Sequence, residues 1–272
     1  MKVYCFGEKE KPVIFLFPGT CCHWKGNFGK VIEPLEEYFR VACVSYDGFD
    51  ETEQTEFPTM TEETEKIEQY IKKEFGGHIC AAYGCSLGGS FVGLLAARGN
   101  IHMEYGILGG SDLDQSGKFL AKLMTKLMMP VFYPFIANGE MKIPFMKKKM
   151  DKMLAEDNGY IRAFMDMIKT PDVDMSHITK RSVENQFSDL ITPLPDQIDP
   201  SGTQIHILYA LKMGEKYRAR YKKHFARPIL HELDLQHEEL LAVYPDDWVK
   251  VIAEICNRKQ GDCAARFKIK GS

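Results

Sequence analysis

Along the first hundred residues, short runs that are apolar at nearly every position alternate with longer stretches in which apolar residues recur every three or four positions. Lys2 to Phe6, Pro12 to Phe17, Arg40 to Tyr46, His78 to Tyr83 and Met103 to Leu108 have the length of strands, and the continuously apolar ones read as buried on both faces. Between them, Val31 to Phe39, Thr61 to Phe75 and Gly89 to Arg98 carry helical spacing. Thr61-Glu-Glu-Thr-Glu adds the hydroxyl and acidic residues that suit a helix N-terminus. Strand and helix in alternation predict an α/β architecture, a mostly parallel central sheet flanked by helices.

The rhythm breaks after Leu113. As far as about Pro200 the pattern offers no strand, only helical stretches such as Gly117 to Met129 and Lys147 to Lys169, separated by prolines. Ten of the fourteen methionines fall here, together with Phe119, Phe132, Tyr133, Phe135, Phe145 and Phe164. Flexible thioethers and aromatics suit an adaptable apolar pocket, and equally the small core of an insertion; Met124, Met128 and Phe132 are the candidate substrate contacts. Strand character returns at Gln204 to Ala210 and Pro228 to Leu233, with a basic helix between them from Lys216 to Phe225. An amphipathic helix, Asp246 to Asn257, precedes a polar tail. The expected organisation is a core of residues 1–112 and 201–272 interrupted by a helical insertion, 113–200.

One pentapeptide changes the picture from fold to chemistry. Gly84-Cys-Ser86-Leu-Gly88 fits G-x-S-x-G and lies between an apolar strand pattern and a helical one. A serine at such a junction takes a strained backbone conformation, and the flanking glycines remove Cβ atoms that would collide there. The following helix turns unpaired N–H groups toward the same spot. A serine hydroxyl needs a base, and histidine has the proton affinity for that work. Of the eight histidines, His237 comes a few residues past the last strand pattern, on the sheet edge that also carries Ser86; His206 and His231 lie inside strand patterns and read as structural.

Composition narrows the classes. A net charge of -3 gives no global attraction to nucleic acid or to anionic membranes. The greasiest stretch, Leu127 to Ala137, holds two prolines and is shorter than the roughly 20 residues that span a bilayer, so no membrane span is expected. Eight cysteines without a CxxC pair, several inside strand patterns, predict free thiols and a cytoplasmic location. Cys21, Cys22 and Cys85 read as small packing residues. The carboxylate pairs and histidines are not spaced as metal ligands, and no nucleotide-binding glycine motif occurs, so neither metal nor cofactor is expected.

Across nearly its whole length the chain resembles the α/β-hydrolases that carry a helical cap: Phe17-Pro-Gly-Thr20 after the second strand, Tyr46-Asp-Gly after the third, the elbow at Gly84 to Gly88, and Gln236-His-Glu238 before Pro245. The resemblance implies Ser86 as nucleophile, His237 as base and then acid, and an oxyanion hole from the backbone N–H of Leu87 with that of Thr20 or Cys21. His23 and Trp24, close behind that loop, become candidate substrate contacts. Pro18-Gly19 stands where the family usually has His-Gly. The acid is less defined. Glu215 is the nearest carboxylate after the penultimate strand, Asp112 is the alternative after the preceding one, and a site without an acid stays open. The function so implied is a serine hydrolase acting on a small-molecule acyl substrate, a carboxylic ester or thioester with a hydrophobic part. Acyl transfer, amide or peptide hydrolysis, and a hydrolase-like protein that only binds a ligand remain alternatives.

Overall fold

The computed structural model of the chain describes residues 1–111, 113, 117–139, 144, 147–148, 151–152, 159–170 and 173–257. Seven strands form one sheet: β1 (Lys2–Phe6), β2 (Val13–Phe17), β3 (Arg40–Ser45), β4 (His78–Gly84), β5 (His102–Leu108), β6 (Gln204–Ala210) and β7 (Ile229–Leu233). Their order is β1-β3-β2-β4-β5-β6-β7. Only β1 runs antiparallel, pairing with β3; every other neighbouring pair is parallel. This is the sheet that the apolar runs predict, with strand ends within a residue or two of the expected ones.

The interior strands are apolar on both faces because both faces are covered. Phe15 and Phe17 of β2 point into one core with Phe91 and Leu95 of α4 (Leu87–Arg98) and with Met60, Ile67 and Ile71 of α3 (Met60–Phe75). Ile14 and Leu16, one residue out of phase, point into the other. There they meet Trp24 and Phe28 of α1 (Trp24–Phe28), Ile32 and Leu35 of α2 (Ile32–Leu35), and Trp248 and Ile252 of the closing C-terminal helix (Pro245–Asn257). The expected helix Val31 to Phe39 is thus confined to four residues, in which Ile32 and Leu35 sit one turn apart on that layer. Helix α3 begins before the expected Thr61, and Thr59 caps it by accepting the Glu62 N–H at 3.2 Å.

Between β5 and β6 the described residues form α5 (Lys118–Asn138), α6 (Gly159–Lys169), α7 (Lys180–Gln186) and a 3-10 turn at Phe187–Ile191. Helix α5 outruns its expected end at Met129 because Pro130 and Pro134 lie inside it. Pro130 is exposed, so the carbonyl deprived of its helical donor can be met by water. Residues 149–150 and 153–158 of the expected helix Lys147 to Lys169 lie outside the described residues; Gly159–Lys169 is its continuous described part. After β6 come α8 (Glu215–His224), then β7, α9 (Glu239–Val243) and α10 (Pro245–Asn257). Helix α6 packs on α9 and α1, bringing the insertion over the loops that follow β2 and β7.

The chain steps from β2 outward to β3, then returns past β2 to β4 and continues the other way. The carboxyl ends of β2 and β4 therefore flank the point where the order reverses, the place where open α/β sheets leave a crevice.

Candidate active site

Ser86 stands at that crevice, between β4 and α4. Its φ of 49° and ψ of -112° put an L-residue in a region that side chains avoid, so the turn is strained. Two close approaches explain the flanking glycines. A Cβ on Gly84 would lie 2.2 Å from the Gly88 carbonyl carbon, and one on Gly88 would lie 2.1 Å from the Phe17 carbonyl oxygen. Neighbouring strands pin the turn: Cys85 N–H donates to Phe17 O at 3.0 Å, Gly109 N–H to Gly84 O at 2.9 Å, and Ser111 Oγ to Ser86 O at 2.8 Å.

The loop after β2 faces this turn, and a Cβ on Gly19 would be 3.5 Å from Ser86 Cβ. Its amides are nearly all spoken for. Gly19 N–H donates to Asn27 Oδ1 at 2.8 Å, Cys21 N–H to Gln186 Oε1 at 2.6 Å, and Cys22 N–H to Gly19 O at 3.2 Å. Among the described residues the N–H groups of Thr20, in the loop that faces Ser86, and of Leu87, next to it in the chain, have no acceptor. Burial pushes the Cys21 and Cys85 thiols well above the ordinary range and Cys22 up to about 12, so these sulfurs stay protonated.

His237 lies in the loop after β7, half-buried. Its ring meets Phe164 of α6 edge-on, with centroids 5.9 Å apart, and its backbone carbonyl accepts from Tyr160 Oη at 3.0 Å. Nδ1 rests against Gly110, where an added Cβ would stand 2.6 Å away. No described residue hydrogen-bonds the imidazole, whether Ser86 Oγ or a carboxylate. Catalytic hydrogen bonds often close only when substrate is bound.

The remaining candidates are dispersed. Glu215 opens α8 with its carboxylate exposed and paired to Arg218 Nε at 3.3 Å, with no contact to His237. Asp112 lies outside the described residues. His23 is buried, caps α1 by accepting the Lys25 N–H at 3.2 Å, and meets Glu51 Oε2 at 2.9 Å. Burial lowers its pKa against the opposing pull of Glu51. Trp24 stacks on Tyr4, 4.9 Å between centroids, toward the β1 edge of the sheet. Met124 and Met128 lie on an exposed face of α5 with Phe119 and Leu127, whereas Phe132 turns inward, edge-on to Phe187 at 5.5 Å.

Sequence reasoning missed Glu238. Its carboxylate is buried directly behind the elbow, accepting from Ser86 N–H at 2.8 Å and Gly110 N–H at 2.5 Å through Oε1, and from Tyr83 Oη at 2.9 Å through Oε2. Burial, and then this charge, raise the Tyr83 phenol well above its usual range. The only signal in the sequence was adjacency to His237, and a carboxylate in a polar loop gives no warning that it is buried. Gln186 was missed too, being a polar residue of α7 that folding carries 165 positions back to the Cys21 amide.

A groove of about 810 Å³ between Gly77, His102, Pro195 and Thr203 lies at the opposite, amino-terminal edge of the strands, away from Ser86.

No family model matches the sequence, and no curated protein is recognisably similar to it in sequence. Solved structures are similar to it throughout. A protein from Desulfitobacterium hafniense described as belonging to the alpha/beta hydrolase family is 19% identical, with 94% of this chain and 100% of that one covered and a TM-score of 0.74. An enol-lactonase from Burkholderia xenovorans is 16% identical over 94% and 96% of the two chains, TM-score 0.68. A lipase-esterase related protein from Clostridium acetobutylicum is 18% identical over 93% and 97%, TM-score 0.62. With the sheet order and the elbow, these likenesses establish that the chain has the α/β-hydrolase fold.

Proposed function

We propose that the protein is a serine hydrolase that cleaves a carboxylic ester or thioester through an acyl-enzyme. The observation that carries this reading is the strained Ser86, with the Thr20 and Leu87 N–H groups near it lacking an acceptor among the described residues. Ser86 Oγ attacks the acyl carbon as its proton passes to His237, and the carbonyl oxygen takes up the negative charge between those two amides. Collapse breaks the bond to the alkoxide or thiolate, which leaves with the proton from His237. Water then gives a proton to His237 and attacks the acyl-enzyme, and the second collapse frees the carboxylic acid and returns the proton to Ser86.

Phe164 beside His237, and the methionine-rich insertion to which it belongs, support a substrate with a hydrophobic acyl or aromatic part. The seven described cysteines are free thiols, which supports a cytoplasmic setting. No metal or cofactor is needed for these steps. A p-nitrophenyl ester series of graded acyl length tests the reading: a burst of one nitrophenol per chain with an acyl adduct on Ser86 supports it, and folded protein that turns over none of the series counts against it. The His237 imidazole, without a hydrogen-bond partner among the described residues, favours one second reading, a hydrolase-like protein that only holds an apolar ligand, for which binding would be unchanged in Ser86→Ala.

A further inference from the structure

We propose that Glu238 supplies the acid function of this site, as a positioning residue that clamps the serine and histidine segments together and sets a buried negative charge behind them. The inference rests on the hydrolase reading and adds to it the group that serves His237.

Three features converge on this residue. Its side chain is the only described carboxylate in contact with the elbow, and it accepts from the amides of two different loops, Ser86 after β4 and Gly110 after β5. It adjoins His237 in the chain, and the His237 ring lies against the same Gly110 whose amide it holds. One carboxylate therefore fixes the serine, the surface on which the histidine rests, and the segment that bears the histidine. The third feature is cost. Glu238 adopts the left-handed conformation, φ 55° and ψ 15°, which disfavours an L-residue, and it buries an acidic group that has three hydrogen-bond donors and no cation among its contacts. Strain at a position that also buries a carboxylate without a cation beside it points to function.

During acyl transfer His237 becomes an imidazolium, and a negative charge fixed nearby in a dry environment stabilises it. In a Ser-His-Asp arrangement the acid does this by direct contact with Nδ1. Here that side of the ring is occupied by Gly110, and the charge acts across that loop. The titratable groups packed around Glu238 are Tyr83 and Cys85 at the end of β4, Cys22 in the loop after β2, Tyr160 of α6, and Glu239 beside it. The three thiol and phenol groups nearest it, Cys22, Cys85 and Tyr83, are all shifted upward, by burial first.

The test is the rate of covalent labelling by a fluorophosphonate, measured from pH 5 to 9 on the full chain. Glu238→Gln retains the acceptor for both amides and lets Tyr83 turn to accept from the new amide, so the fold should persist, as thermal melting would verify. It should label about 10- to 100-fold more slowly than the parent, with the acid limb of the profile moved to lower pH, because a base without its neighbouring charge gives up its proton more readily. Glu238→Asp, which keeps the charge and shortens the reach, should lose rate without moving that limb. Gly110→Ala, which leaves the carboxylate in place and drives a methyl group toward Nδ1, should also slow labelling, and keeps the test decisive if a Glu238 variant does not fold. A Glu238→Gln profile that superimposes on the parent, or a Gly110→Ala rate equal to the parent's, would overturn the role of Glu238 alone. A parent that takes no probe would overturn the hydrolase reading and this role with it.

Discussion

If Ser86 is held in strain for the sake of its chemistry, then removing its Cβ should make the protein more stable while abolishing its reactivity. At φ 49° and ψ -112° an L-residue costs about 1–3 kcal/mol, a cost that glycine escapes. Glycine has a penalty of its own, about 0.5–1 kcal/mol of extra backbone freedom in the unfolded chain. The comparison that isolates strain is Ser86→Gly against Ser86→Ala, since both delete the hydroxyl and only one keeps the Cβ. The difference should favour glycine by about 0.5–2 kcal/mol, or about 1–5 °C in melting temperature for a chain of this size. Scanning calorimetry on the two variants reads this directly, with urea unfolding as a second measure. A Ser86→Gly protein that melts at or below Ser86→Ala would refute the reasoning, because the elbow would then store no strain.

Glu215→Gln should change labelling or esterase rates by less than about two-fold and stability by less than about 0.5 kcal/mol, since its carboxylate is exposed and, among the described residues, paired only with Arg218; a steady-state assay in which this variant lost most of its kcat would restore Glu215 as the triad acid. Glu63 gives a prediction about pH. Burial, reinforced by the charge of Asp47, raises its pKa from 4.5 to about 7, while its Oε1 accepts the Asp47 N–H at 2.9 Å. A carboxyl whose folded pKa lies above its unfolded one binds more protons in the folded state, so its contribution is present below about pH 4.5 and is lost as pH rises through 7. Glu63→Gln keeps the acceptor and removes the ionisation. Its urea midpoint should decline less between pH 5 and pH 8 than the parent's, and parallel declines would contradict the assignment.

The parts of the fold that were legible in the sequence are those governed by local pattern. Ile14 to Phe17 is apolar at every position because alternate residues feed two cores, and that requirement is visible without a structure. The elbow was visible because its glycines answer contacts within one turn and with the adjoining strand. Helix α5 was cut short in the sequence reading because proline rules describe the helix interior in general, whereas Pro130 faces solvent. What could not be read depends on pairing between distant segments. Which of the Thr20 and Cys21 amides is already engaged turns on Gln186, which accepts the Cys21 N–H from across the insertion. Glu238 belongs with these, since only the folded chain brings Ser86, Gly110 and Tyr83 around one carboxylate.

The central claim, an activated serine at position 86, is tested most directly by intact-mass detection of a fluorophosphonate adduct on the parent beside Ser86→Ala and His237→Ala. The account predicts one adduct per chain on the parent, none on Ser86→Ala, and a labelling rate reduced at least about 100-fold in His237→Ala. Folded parent protein that takes up no probe, or a Ser86→Ala variant that labels as the parent does, would contradict it.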